Sequence, residues 1–153
     1  MSAGPGYDAL VVGHVLVAVV GFGALCASGA HASAIRRVAD PFSSGAIRRY
    51  FSPGRNLASR AVLAVPVFGA ALLAIGNDDG ALFPWIGLGL WIVATGAASA
   101  GIWPAEAEIA RLLAQGPGAR GPLVAAARRC ERFAALTSCC FAAAFVVMIA
   151  QPR

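Results

Sequence analysis

From Ala9 to Ala34 the chain is apolar, rich in Gly and Ala, and carries no formal charge. That run is too long for an ordinary core helix. A helix rises about 1.5 Å per residue, so roughly 20 apolar residues cross the hydrocarbon of a bilayer. Three more such runs follow. The pattern predicts an all-α integral membrane protein: a single domain over residues 1–153, a four-transmembrane-helix bundle with spans near 9–30, 57–76, 81–103 and 133–150. The first span leaves room to continue as helix to Arg37.

Composition agrees. Charged residues are 12% of the chain, where a soluble domain holds about a quarter, and mean hydropathy is +0.74. Little sequence remains for a separate soluble domain. All twelve basic residues are arginine, which with the Ala and Gly content points to a GC-rich bacterial source. The net charge of +5 does not point to nucleic acid, because no aromatic–basic interleaving marks a binding face. The N-terminus has no basic region ahead of its apolar run, so the first span is read as retained. Cys26, Cys130, Cys139 and Cys140 form no C-x-x-C pair and are read as small hydrophobes.

Arginines set the orientation. Arg36, Arg37, Arg48, Arg49, Arg55 and Arg60 lie between or flank spans one and two; Arg111, Arg120, Arg128, Arg129 and Arg132 lie between spans three and four. The N-terminus and the Asn77–Gly80 turn have none. By the positive-inside rule both long loops are cytoplasmic and both termini are outside, in a bacterial inner membrane. Trp85 and Trp103 are 18 residues apart, about 27 Å of helix, which suits one at each interface. Pro104 opens PAEAEIARLLAQG, read as a short amphipathic helix at the inner surface or extending span three, with Ala105, Ile109, Leu112 and Leu113 on one face and Glu106, Glu108 and Arg111 off it. Glu131 is expected to pair with Arg128. Pro66 should kink span two and free the carbonyl near Val62. Stripes of small residues, among them Ala18, Gly21, Ala24 and Ser28 below His14, favour close helix approach and self-association or a membrane-protein partner.

Few residues carry chemistry. His14 lies within the first span, where an imidazole can ligate haem or a metal, relay protons or bond to a neighbouring helix. His31 is 17 residues on, about 25 Å away, so the two cannot share one metal, and no metal site is expected. Met148 falls near the depth of His14, and a His/Met pair suits haem. Arg48, Arg49, Arg55 and Arg60 offer a site for a lipid headgroup or anionic substrate. Spans two and three, as bounded above, hold no ionisable interior residue, which argues against an ion-coupled transporter. No nucleotide-binding, zinc-protease or nucleophile-elbow motif occurs.

The succession YDALVVGHVLVAVVGFGALCAS, PFSSGAIRRYFSPGRN, LAVPVFGAALLAIG and PWIGLGLWIV, then a Pro-headed helix, resembles a family of small bacterial integral membrane proteins of unknown function related to the CopD and HemJ-like proteins. That resemblance implies haem b held by the first-span histidine, here His14, or a non-catalytic accessory subunit of a membrane complex. The chain has Val20 and Gly21 where the HemJ-like pattern has a Trp before its glycine pair, and no second intramembrane histidine. A second axial ligand would be Met148, water or another subunit. Arg55-Asn56 and Arg60 ahead of Pro66 are also similar to the membrane-associated eicosanoid and glutathione transferases, which implies a thiol transferase acting on a lipophilic substrate. A purely structural helix-packing subunit is the third reading.

Overall fold

The computed structural model describes residues 4–52, 54, 56–76 and 82–150. Arg55 and the expected Asn77–Gly80 turn lie outside the described residues. The described chain is helical, with no strand among those residues. Its helices are α1 (Pro5–Arg37), α2 (Gly45–Tyr50), α3 (Val65–Ile75), α4 (Phe83–Ala97), α5 (Trp103–Gln115) and α6 (Arg120–Ala150). Four helical runs are long and apolar enough to cross a membrane: Pro5–Arg37, Leu57–Ile75, Phe83–Gln115 and Pro117–Ala150.

These bounds shift two expectations. Span three does not stop at Trp103. Pro104 lacks the N–H that would bond the Ala100 carbonyl, and its ring crowds that carbonyl. The helix answers by widening into a π-turn over Ala98–Ile102 and continues as α5. The helical run thus carries Glu106, Glu108 and Arg111 in its α5 part, as an extension beyond the apolar segment. The last run starts well before Phe133, so the basic stretch Arg128–Arg132 is helix. Gly116, at φ 88°, makes the break between α5 and α6, a left-handed conformation that suits a residue without Cβ.

Span two meets its proline differently. A 3-10 segment, Asn56–Ala64, runs straight into α3, whose second residue is Pro66. Pro66 has no N–H for the carbonyl of Val62. The indole Nε1 of Trp91 on α4 donates to that oxygen instead, at 2.8 Å. The freed carbonyl expected from the sequence is present, and the neighbouring span satisfies it.

The helix order in space is α3, α1, α6, α4: α1 packs on α6 and on α3 with its 3-10 lead, and α4 and α5 pack on α6. Helices α1 and α6 are antiparallel. Phe22 stacks on Phe141 with centroids 4.8 Å apart, and Cys26 Sγ meets Ser138 Oγ at 3.0 Å. A Cβ on Gly29 would fall 2.5 Å from the Ala134 methyl, so the glycine sets how near these helices come. Gly21 does the same against the 3-10 segment, where a Cβ would lie 2.4 Å from the Val62 nitrogen.

Burial is uneven along the bundle. The loop end gathers residues 38–52, α5 and the start of α6 around a core that includes Leu25, Ile35, Phe42, Ile47, Ile109 and Leu123. At the opposite end, where α3 stops and α4 begins, burial fades. Among the described residues none is buried before Gly21 in α1, none in α3, none before Ala94 in α4 and none after Cys140 in α6. Val12, Leu16, Val67, Trp85, Phe145 and Ile149 are all more than half exposed there, a surface that suits lipid rather than water.

The Gly21 contact yields a paired test. Gly21→Ala drives a methyl into backbone that cannot move aside and should lower stability by about 1–3 kcal/mol. Gly23→Ala meets nothing within 4 Å and should be neutral or stabilising, since Ala is the better helix former by about 1 kcal/mol. Thermal unfolding of both variants in one mild detergent checks the difference in sign.

Candidate functional sites

Two places bring polar side chains together inside the helices. The first surrounds Ser28 at the loop end. Ser28 is fully buried on α1 and sits between α2 and α5. Its hydroxyl donates to Glu106 Oε1. Tyr50 OH lies 2.9 Å from Ser28 Oγ and 3.3 Å from the Ala24 carbonyl. With the Ser28 proton committed to the carboxylate, the strongest acceptor present, Tyr50 is the donor to Ser28 or to Ala24. The hydrogen bonds thus run from Tyr50 through Ser28 to Glu106. The Cys130 thiol, also buried, donates to the Ser28 carbonyl at 3.8 Å.

His31 completes this cluster. Its ring stacks on Tyr50 with centroids 3.7 Å apart and planes 8° from parallel. Its Nδ1 lies 2.9 Å from the Ala27 carbonyl, which can only accept, so Nδ1 carries the proton. The arrangement holds the short helix α2 on the bundle through one aromatic side chain. It also keeps a carboxylate inside a protein core, where a buried charge must have hydrogen-bond donors.

Glu106 corrects the reading of α5. It is 9% exposed, inside the bundle with Ala105, Ile109, Leu112 and Leu113. The sign was in the sequence: at 100° per residue, Glu106 falls only about 20° from Leu113. Glu108, two residues on, pairs with Arg111 at the surface, 2.6 Å between Arg111 Nη2 and Glu108 Oε1. Glu131 does not pair with Arg128; it pairs with Arg36 of α1, which the antiparallel register brings opposite. Tyr50 and Ser28 gave weaker signals, since neither local pattern says that a loop tyrosine reaches back to a span. Cys139 is exposed, whereas Cys130 and Cys140 are buried.

The second place is His14, in the open end of the bundle. Its imidazole faces α3, with Cε1 3.6 Å from where a Cβ on Gly69 would stand. The Val65 backbone is near enough to interact with the ring, yet Nδ1 is buried and makes no hydrogen bond among the described residues. Continuing the α1–α6 register past Phe22 and Phe141 brings Met148 level with His14. The thioether, however, turns to α4, with its methyl 3.6 Å from a Cβ position on Gly87, and is exposed. At this level the four helices contribute His14, Gly69, Gly87 and Met148, and α3 and α4 make no extended contact with each other among the described residues. The two glycines let the imidazole and the thioether lie against the α3 and α4 backbones.

The arginine set is dispersed. Arg48 and Arg49 are exposed on α2. Arg60 is exposed and lies over the Trp103 ring, 4.8 Å from its centroid, while the Trp103 indole N–H donates to Ser59 Oγ at 3.1 Å. No group of three or more His, Cys, Asp or Glu that could hold a metal ion occurs among the described residues. No known family matches this chain, and no curated protein or solved structure matches it.

Burial pushes the Tyr50 phenol above its ordinary value of 10.0; the Glu106 charge raises it further, and the Ser28 hydrogen bond partly offsets this. A folded-state value above the unfolded one means stability fully present below about pH 10 and lost as pH rises through the raised value. Tyr50→Phe should therefore flatten the alkaline fall in melting temperature and remove the late-titrating part of the tyrosinate absorbance. An unchanged alkaline profile in the variant would count against the buried phenol.

Proposed function

We propose that this chain is a four-span bacterial inner-membrane protein of the CopD/HemJ-like type that would hold haem b through His14. The single observation behind this reading is the buried Nδ1 of His14. Buried polar atoms are nearly always hydrogen-bonded, and one without a partner in an apolar setting asks for a ligand. The layer around it supports the same reading. No described residue at that end is buried as a whole, Gly69 and Gly87 lie against the imidazole and the thioether, and a flat apolar group would enter from the lipid side.

His14 would hold the group; Met148, level with it on α6, is the second donor nearest in depth, with water or another subunit as the other sources. Haem b, when bound, supplies one-electron chemistry. The chain's own part is to supply a neutral imidazole, to keep water away with the apolar faces of α1 and α3, and to fix depth through the α1–α6 register. In this reading the arginine-rich loop end faces the cytoplasm and the start of α1 and end of α6 face outward, as the positive-inside rule requires. Trp85 and Trp103, on one continuous helical run, mark the two interfaces.

The test is the visible spectrum of detergent-purified protein expressed with haem available, oxidised and then dithionite-reduced. The expected result is a Soret band with sharpened reduced bands, lost in His14→Ala and retained in His31→Ala. Met148→Leu separates a thioether second ligand from the other sources by a shifted spectrum. A colourless protein under these conditions overturns the haem reading and leaves the accessory-subunit one.

A further inference from the structure

The strongest charged feature of the molecule lies on α6, away from both sites. Arg120, Arg128, Arg129 and Arg132 border an open groove of about 770 Å³. Its floor is apolar, made by Val124, Ala125 and Phe133. A smaller recess of about 390 Å³ adjoins it, shares Arg128 and Arg132, and is closed on its far side by the Arg36–Glu131 pair.

Four other arginines of the loop end have partners, while Arg37, Arg48 and Arg49 are exposed and line neither recess. Arg36 is held by Glu131, Arg111 by Glu108 and Arg60 by the Trp103 ring, and Arg120 donates to the Ala39 carbonyl at 2.7 Å. Arg128, Arg129 and Arg132 make no hydrogen bond or ion pair among the described residues, and all three are exposed. Of the carboxylates around the groove, Glu131 is already engaged, Glu108 feels Arg129 at longer range, and Asp40 feels Arg120 rather than these three. Three guanidinium groups of one helix thus line a single recess with their charge unanswered.

Position along α6 says what would answer it. Arg132 is the last charged residue of the helix; from Phe133 to Ala150 every residue is uncharged. Leu136, one turn beyond Arg132 and 44% exposed, continues the same face. An occupant must put an anionic oxygen cluster at the arginines and an apolar tail along Leu136. Guanidinium forks suit phosphate oxygens in two-point contacts.

We propose that this groove seats the phosphate of an anionic glycerophospholipid, with an acyl chain lying along α6. The proposal rests on the four-span reading, and it goes beyond general attraction to the inner leaflet by naming one groove. Phe133 gives the site a link to the bundle: it forms the groove floor, and its ring occupies the space above Gly101 in the π-turn, 2.1 Å from where a Cβ would stand. A lipid in the groove therefore presses on the segment that joins α4 to α5.

The experiment compares melting temperatures of the full chain in a neutral detergent with added phosphatidylglycerol, phosphatidylcholine or inorganic phosphate. Phosphatidylglycerol is expected to stabilise saturably, and phosphatidylcholine and phosphate are not. The double variant Arg128→Gln/Arg132→Gln should need on the order of tenfold more phosphatidylglycerol. Arg37→Gln/Arg111→Gln removes the same charge from α1 and α5 and should behave as the parent. Equal loss in both variants, equal stabilisation by phosphatidylcholine, or an equal effect of free phosphate each overturns the proposal. Carbonate extraction of cell membranes separates the two readings: release of the protein defeats the four-span reading itself, whereas retention without lipid selectivity defeats the groove alone.

Discussion

A backbone carbonyl surrounded by hydrocarbon has no water to turn to, and this chain places Pro66 and Pro104 inside two of its four long apolar helical runs. How each loss is made good organises much of the structure. At Pro66 the preceding turns tighten to 3-10 geometry, and Trp91 reaches across to the Val62 oxygen. That single bond ties span two to span three at the point where Gly21 lets α1 come close. At Pro104 the preceding turn loosens instead, into π geometry, and Phe133 of α6 fills the space beside Gly101. Tightening and loosening thus answer the same chemical deficit, and in both cases an aromatic residue of another helix secures the result.

The helical runs and their number were legible in the sequence because apolar length is a direct reading of what a bilayer demands. The freed carbonyl at Val62 was legible for a similar reason: proline removes a donor wherever it stands. Its rescue by Trp91 was not, since nothing local says which neighbour will lie opposite. Glu106 shows a different failure. Its wheel position placed it beside Leu113, but a carboxylate near Pro104 reads naturally as a helix-start charge facing solvent. Only the packing of α2 and α5 against Ser28 shows that the chain had donors ready for it. Counting residues brings Met148 level with His14 along the α1–α6 register; the direction of its side chain depends on helix rotation, which counting does not give.

The two polar places differ in how their groups are held. Around Ser28, five side chains from four helices share hydrogen bonds, a stacked ring pair and complete or partial burial. At His14 the reverse holds: one nitrogen is buried without a partner, and the helices around it close on nothing. Tight satisfaction marks the first as architecture, and the unpartnered nitrogen of the second is what the haem proposal rests on.

The fading of burial toward the end where α1 begins and α6 finishes has a mechanical meaning. Close-packed layers resist deformation, while layers that lack interlocked side chains yield with little resistance. The molecule is therefore stiff where its arginines cluster and compliant where His14 sits. A displacement of α3 relative to α4 at the compliant end need not disturb the core around Leu25 and Ile109.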